Sequence, residues 1–206
     1  TPTNNFCTLN PLSRSLTSSY TPGLSNGNLF QDNTRGGTLG TMSMPSGKWY
    51  WEILHHTTSS WGQYGIIDDR ESGTDSIATT ANPTAGIFYW NSGVVKINGS
   101  QQSGSWTPMD VHDVLGIAYD ADNDRIYFYL NNELQGTYWT PHALTNVNAG
   151  AYTPAILMHG NKAVANFGQD SSFAGHKTPQ GKQDGNEVGD FFYEPPSGFL
   201  ALCTSN

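Results

Sequence analysis

The chain alternates apolar and polar residues with the period of two that is typical of β-strands. In residues 48–53, for example, Trp49, Trp51 and Ile53 fall on one face and are expected in the core. The same kind of pattern predicts further strands at residues 86–90, 94–97, 114–119, 125–130, 133–138, 154–158 and 163–167. Helical periodicity is almost absent, and Gly and Pro recur too often for long helices.

Turn-forming sequences separate these strands. Asn91-Ser92-Gly93 and Asn131-Asn132 suit tight hairpin turns, and an acidic turn occupies residues 120–124. Short strands joined in this way predict an all-β fold, an antiparallel β-sandwich formed by residues 1–206 as a single domain. Residues 68–83 and 171–189 are rich in Gly and polar side chains and are predicted to be loops, which often carry function on β scaffolds.

The composition argues against several classes of protein. Charged residues make up 13% of the chain, about half of the usual share, while aromatic residues reach 12%, which argues against a disordered chain. Seventeen acidic residues against nine basic ones give a net charge of −8, so no nucleic-acid partner is expected. No run approaches the roughly 18 apolar residues of a membrane helix, and the first residues do not form a signal-peptide pattern. We therefore expect no membrane insertion.

Patterns for catalysis and metal binding are weak. Glycoside hydrolysis needs two carboxylates about 5 to 9.5 Å apart, and no predicted strand carries two inward Glu residues. The acidic turn lacks the Gly and the Glu of a calcium-binding EF-hand loop, so a solvated hairpin turn is expected there. His55 and His56 are neighbours on a strand and point to opposite faces, so they are not expected to share a metal. We expect no catalytic residue, no metal and no cofactor; a glycan-degrading depolymerase is the enzymatic alternative.

Several aromatic residues lie in or beside predicted loops, namely Trp61, Tyr64, Tyr89, Trp90, Trp106 and Trp139. Exposed rings make stacking platforms for sugars and anchors for proteins, whereas buried rings fill the core. The sequence pattern leaves both interpretations open for each of them.

Five segments in a fixed order carry a resemblance to a known family. They are SGKWYWEI (46–53), YGIID (64–68), GIFYWNSGVVKING (86–99), DVLGIAYDADNDRIYFYLNNELQG (113–136) and YTPAILMHGNKAVANFG (152–168). The set resembles the SPRY domain, called B30.2 in its extended form. The resemblance places the core motifs at 46–168, between terminal segments 1–45 and 169–206, and implies a sandwich of the concanavalin or jelly-roll type. It also implies a non-enzymatic recognition module whose loops at one end bind a partner, usually an extended peptide.

The same resemblance implies a set of ligand-binding residues, which are Asp68, Asp69, Arg70, Tyr89, Trp90, His159 and Gly160. It requires the loop at 68–83 and the turn at 159–162 to lie at the same end of the sandwich. The chain departs from the family near His159, where many members carry an aromatic residue.

The terminal segments TPTNNFCTLNPL and DFFYEPPSGFLALCTSN resemble segments that bracket SPRY-like domains in bacteriophage tail and virion proteins. This resemblance implies a domain on the surface of a virion or tail fibre that contacts a host surface protein or glycan. The alternative is a structural virion protein whose loops hold neighbouring subunits. A homo-oligomer within a larger assembly is compatible with both.

Cys7 and Cys203 are the two cysteines, too few for a disulfide scaffold or a four-thiolate zinc site. Leu9 and Leu12 follow the first cysteine, and Leu200 and Leu202 precede the second, so each terminus carries an apolar patch that needs cover. We expect the two termini to lie side by side. Because phage proteins mature in a reducing cytosol, we expect two free thiols within the same layer.

Overall fold

The computed structural model describes residues 4–14, 22–32, 35–57, 60–68, 86–135 and 151–206. Within these residues it contains fifteen β-strands. They are β1 (Leu9–Arg14), β2 (Leu24–Ser25), β3 (Phe30–Gln31), β4 (Gly36–Gly40), β5 (Lys48–Thr57), β6 (Trp61–Asp68), β7 (Gly86–Trp90), β8 (Val94–Ile97), β9 (Ser100–Gln101), β10 (Val114–Asp120), β11 (Arg125–Leu130), β12 (Glu133–Leu134), β13 (Tyr152–His159), β14 (Lys162–Asn166) and β15 (Leu200–Ala201). No helix in this part of the chain is long and apolar enough to cross a membrane.

The strands form two packed antiparallel sheets. The seven-stranded sheet has the order β1-β4-β13-β6-β7-β8-β9. The eight-stranded sheet has the order β12-β11-β10-β5-β14-β3-β2, and β15 pairs with β5 in parallel beyond the end of β14. The predicted all-β antiparallel sandwich is confirmed.

Most of the predicted strands are present. Those at 86–90, 94–97 and 125–130 are confirmed to the residue. Those at 48–53, 114–119, 154–158 and 163–167 are confirmed with ends that differ by one to four residues. The strand predicted at 133–138 ends at Leu134, and residues 136–138 lie outside the described part of the chain. The loop predicted at 171–189 contains no strand.

The hairpin turns form where the sequence predicts them. Asn131 and Asn132 adopt φ values of 49° and 69°, the left-handed conformation that Asn tolerates. In the acidic turn, the carboxylate of Asp120 accepts hydrogen bonds from the backbone and side-chain amides of Asn123. Its second partner is Lys48, whose Nζ lies 3.0 Å from Oδ2. The acidic turn is therefore stabilised by contacts within the protein.

The central strand β5 is buried on both faces. Trp51 and Ile53 face the other sheet and belong to the main core, as the sequence predicts. Tyr50, on the opposite face, is also buried, because Phe191 and Phe199 of the C-terminal segment pack over it. The C-terminal segment thus covers the outer face of the eight-stranded sheet.

The two termini lie side by side, as predicted. Phe6 and Cys203 form an isolated antiparallel β-bridge, and the backbone N–H of Cys7 donates to the carbonyl of Leu202 at 2.9 Å. Both cysteines are free. Cys203 pairs with Phe6, and the next residue, Cys7, points to the opposite face because successive residues of an extended chain alternate. Cys7 therefore lies in the main core, whereas Cys203 packs with Tyr50 on the outer face. The prediction that the two thiols share one layer is wrong.

Candidate functional site

The register between β6 and β13 determines which loops lie together. Trp61 pairs with His159, and Asp68 pairs with Tyr152 at the other end of the same strand pair. Seven residue steps of strand separate the two pairs, which is about 24 Å. Asp68 therefore lies at the opposite end from the turn at 159–162, against the prediction that they share one end, and residues 69–83 of the predicted loop lie outside the described residues. Asp69 and Arg70 lie outside the described residues.

Several turns meet at the end of the sandwich where β6 begins, which we call the Trp61 end. The turns after β7, β11 and β13 lie there, together with the loop at 110–113 that precedes β10. Gly160 belongs to the turn after β13. This end therefore gathers segments that are far apart in the sequence.

Three polar residues hold these turns in fixed positions. The backbone N–H of Ser60 donates to the side-chain oxygen of Asn161 at 3.0 Å. The side-chain amide of Asn91 donates to the carbonyl of Ser60 at 3.1 Å, and its oxygen accepts the N–H of Gly62 at 3.0 Å. Asn161 is fully buried and Asn91 nearly so. Buried amides with their partners made give the Trp61 end a rigid framework.

A row of aromatic and cationic side chains crosses the outer face of the seven-stranded sheet at this end. We call it the aromatic row; its members are His159, Trp61, Trp90 and Lys96. The rings of Trp61 and Trp90 are stacked with centroids 6.0 Å apart, and the ring of His159 lies 6.1 Å from that of Trp61. The Nζ atom of Lys96 lies 3.9 Å from the centroid of the Trp90 ring. The row follows the order of the strands β13, β6, β7 and β8, because its members lie on the same face of adjacent strands.

The aromatic row is only partly covered. Trp61, Trp90 and Lys96 are half-buried and His159 is exposed. Burial lowers the pKa of Lys96 from its ordinary value. The indole N–H of Trp90 is buried without a hydrogen-bond acceptor among the described residues. The row therefore presents flat rings and positive charge beside each other, an arrangement that suits cation–π and stacking contacts.

Two exposed aliphatic side chains also lie at the Trp61 end. Val111 in the loop before β10 is 49% exposed, and Leu134 after the Asn131-Asn132 turn is 55% exposed. The third exposed large apolar residue of the described chain is Leu12, on the edge strand β1. Val111 and Leu134 thus add exposed apolar surface to the Trp61 end.

The structure separates the ligand-binding residues that the resemblance implied. Trp90, His159 and Gly160 lie at the Trp61 end, and Asp68 is buried at the opposite end. Tyr89 is also buried, because it faces the core while its neighbour Trp90 faces outward. The Tyr89 hydroxyl donates to the carbonyl of Thr107, and burial raises its pKa above the ordinary value.

Sequence reasoning placed Trp61 among the candidate aromatic residues but did not select it, and it missed Lys96, Val111 and Leu134. Trp61 and His159 are 98 positions apart in the sequence, and only the pairing of β6 with β13 brings them together. Alternation within β8 does place Lys96 on the outer face, which was a usable signal.

The buried carboxylates of the described chain have structural partners. Both oxygens of Glu52 accept hydrogen bonds, and burial raises the pKa of this carboxyl to about 7. Asp184 lines a cavity of about 230 Å³ in the C-terminal segment. Its carboxylate accepts the backbone N–H groups of Asn186, Val188 and Ala201, which fixes the segment. No group of three His, Cys, Asp or Glu residues in the described ranges is placed to hold a metal ion.

Comparison with solved structures shows the same fold in other proteins. The SPRY domain of human HERC1 is 14% identical, with a TM-score of 0.58 over 76% of this chain and 96% of that one. The PSpry domain of TRIM65 is 17% identical, with a TM-score of 0.57 over 78% of this chain and 89% of that one. No curated protein matches the chain.

Comparison with family models identifies the core of the chain. The model of the SPRY domain matches residues 48–170, which is more than half of the chain. SPRY domains are in general non-enzymatic modules that mediate protein–protein interactions. The sequence match and the sandwich agree, and the chain belongs to the SPRY domain family.

Proposed function

We propose that this domain recognises a protein partner through its Trp61 end. The stacked, half-exposed pair of Trp61 and Trp90 supports this most directly, because rigid aromatic side chains lose little entropy on binding and are enriched among the residues that dominate interface energy. His159 and Lys96 flank the pair and supply polar contacts at its rim.

The surroundings of the pair favour a protein over a glycan. Lys96 already lies over one face of the Trp90 ring, which reduces the flat surface left for a sugar. Val111 and Leu134 add aliphatic surface at the same end, and aliphatic side chains suit the apolar anchors of a peptide. The buried amides of Asn91 and Asn161 keep the surface preformed, which lowers the entropic cost of binding.

The biological setting is the second part of the proposal. The terminal segments resemble those of bacteriophage tail and virion proteins, and this resemblance alone supports a place on a virion surface. In that setting the partner is a host surface protein. A structural virion protein, whose Trp61 end holds a neighbouring subunit, uses the same surface with a different partner.

The test is a selection of peptides from a displayed random library on the wild-type chain, followed by affinity measurements. Leu134→Asp and Val111→Asp should each weaken the selected peptides about ten-fold, the loss expected for an interface anchor. Leu12→Asp is the matched control, since it makes the same change at an exposed leucine on another edge, and it should leave affinity unchanged. Wild-type affinity in all three variants, and in Trp90→Ala, would exclude the Trp61 end.

Two further measurements separate the alternatives. Binding to a glycan array that disappears in Trp61→Ala, with no peptide selected, would identify a glycan receptor instead. Release of reducing ends from host polysaccharide would identify a depolymerase. Purified virions that contain the chain, probed with antibodies against it, would test the location.

A further inference from the structure

Three histidine rings meet around Phe30 on the outer side of the eight-stranded sheet, at the Trp61 end. We call His56, His112 and His176 the histidine cluster. The ring centroids of His56 and His176 are 4.3 Å apart, and those of His56 and His112 are 5.7 Å apart. The ring of Phe30 lies 5.5 Å from His56 and 6.3 Å from His176.

The cluster is assembled from separate parts of the chain. His56 lies near the end of β5, His112 in the loop before β10, and His176 in the C-terminal segment. Lys162, the first residue of β14, pairs with Thr57 and adds its ammonium group to the same region. His112 and His176 are exposed, so an external ligand can reach them.

The charged groups around His56 are all basic. Burial, together with His176, His112 and Lys162, lowers the pKa of His56 from its ordinary value. Its Nδ1 atom is buried without a hydrogen-bond partner in the described part of the chain. Because the chain has a net charge of −8, a group of three histidines beside a lysine stands out.

Of the two carboxylates on the adjoining loop, that of Asp113 is occupied elsewhere and that of Asp110 is exposed. Burial lowers the pKa of His55, although the charge of Asp113 raises it by a smaller amount, and His55 points to the face of β5 opposite to His56. The oxygens of Asp113 accept the side-chain amide of Asn131 and the backbone N–H of Asp110, both at 2.7 Å. Within the described ranges no carboxylate lies within ion-pair distance of Lys162. Among the described residues, the charged groups that act on His56 are therefore basic, which favours an external anion at the cluster.

We propose that the histidine cluster and Lys162 bind a carboxylate of an acidic segment in the protein partner, and bind it more tightly as the pH falls. This inference rests on the proposed function, because the cluster lies at the Trp61 end. A protonated imidazole has two N–H donors, and charge-assisted hydrogen bonds to a carboxylate are about twice as strong as neutral ones. The bound carboxylate also relieves repulsion among the rings.

The sign of the pH dependence follows from linkage. An anion favours the protonated form of each imidazole, so binding raises the imidazole pKa values and takes up protons. A ligand whose binding takes up protons binds more tightly at lower pH. The pKa of His56 in the free chain lies below the ordinary imidazole value of about 6.5, so binding should continue to tighten as the pH falls through 6.5 and below it.

The first measurement uses sulfate, whose charge does not change in this range. Imidazole C–H resonances are followed by NMR against pH, with and without sulfate. The resonances of His56, His112 and His176 should change when sulfate is present, while those of His159, which lies outside the cluster, should not. A uniform response of all four histidines would mean general ionic screening and would overturn the site.

The second measurement tests the source of the anion. A fluorescent hexaglutamate peptide should bind about ten-fold more tightly at pH 6.0 than at pH 7.5. Its glutamine counterpart should not bind. His176→Gln should reduce the pH dependence, and His159→Gln should leave it unchanged. Sulfate binding without peptide binding would restrict the site to small anions and would refute the acidic-peptide partner.

Failure of this inference can be distinguished from failure of the proposed function. The inference fails alone if the affinity of the selected peptides depends on Leu134 and Val111 but does not change with His176→Gln or with pH. If hexaglutamate binds as expected while Leu134→Asp and Val111→Asp have no effect on any selected peptide, the assignment of Val111 and Leu134 to the recognition surface fails instead.

Discussion

The carboxylate of Glu52 accepts a hydrogen bond of 2.7 Å from the backbone N–H of Tyr193, a residue 141 positions later in the chain. The neighbouring N–H of Phe192 donates to the other carboxylate oxygen at 2.9 Å, and the side-chain amide of Asn166 donates to the same oxygen at 3.1 Å. The hydroxyl of Tyr50 completes the set at 3.2 Å. Glu52 therefore attaches the C-terminal segment to the centre of the eight-stranded sheet.

Glu52 and His55 are expected to change the pH dependence of stability in opposite directions. Burial raises the pKa of Glu52 from 4.5 to about 7, so the stability that it contributes below pH 4.5 is lost as the pH rises through about 7. Burial lowers the pKa of His55 from 6.5 to about 4, so the stability that it contributes above pH 6.5 is lost as the pH falls through about 4. The two effects oppose each other between these values.

Single substitutions should separate the two effects. Glu52→Gln should make the free energy of unfolding rise more steeply with pH than in the wild type, by up to about 1.4 kcal/mol per pH unit. His55→Gln should shift the slope in the other direction. Urea denaturation at pH 5, 6 and 7 measures both, with the exposed Glu133→Gln as the control. An unchanged slope in Glu52→Gln would show that this carboxyl does not titrate in the window.

Tyr89 and Trp90 are sequence neighbours that should respond differently to substitution. Tyr89→Phe removes the hydroxyl that donates to the carbonyl of Thr107, so it should cost about 1 kcal/mol of unfolding free energy without weakening a selected peptide. Trp90→Ala removes half of the stacked pair and should weaken the peptide about ten-fold. Fluorescence anisotropy and urea denaturation are run on both variants. Weaker binding by Tyr89→Phe at full stability would make Tyr89 a contact residue.

Local patterns in the sequence were sufficient for the strands and turns. The alternation in β7 and β8 and the turn at Asn91 depend on neighbours within a few residues, and these elements were predicted to the residue. Whether Trp61 pairs with His159 depends on a register between strands far apart in the chain, which alternation does not determine. Asp68 was therefore predicted at the wrong end of the sandwich.

The burial of the outer face of β5 could not be predicted from the local sequence for a related reason. Alternation separates Trp51 from Tyr50 and Glu52, a pattern that suggests one apolar and one polar face. Glu52 is nevertheless fully buried, because backbone N–H groups of the C-terminal segment satisfy its charge. A buried carboxylate with distant backbone donors leaves no signature in its own neighbourhood of the sequence.

Cys7 should be unreactive while the chain is folded. Burial raises the pKa of its thiol from 9.0 to about 11, so at pH 8 it has roughly a hundred-fold less thiolate than an unperturbed cysteine. Its labelling by a chromogenic thiol reagent should therefore be slow in buffer and should accelerate along the urea unfolding curve. Labelling at the rate of a free thiol in buffer would contradict the burial of Cys7.

The same experiment under oxidising conditions tests the geometry of the termini. Cys7 and Cys203 flank the bridge between the terminal strands but face opposite sides of it, so their sulfur atoms cannot approach without rotation of the backbone. Mild oxidation of the folded chain should leave its mass unchanged, with Cys203→Ser as the control. A mass lower by two hydrogens in the wild type alone, with a disulfide-linked pair of peptides after digestion, would show that the two cysteines face each other. The N-terminal strand would then have to pair with the C-terminal strand in a register shifted by one residue.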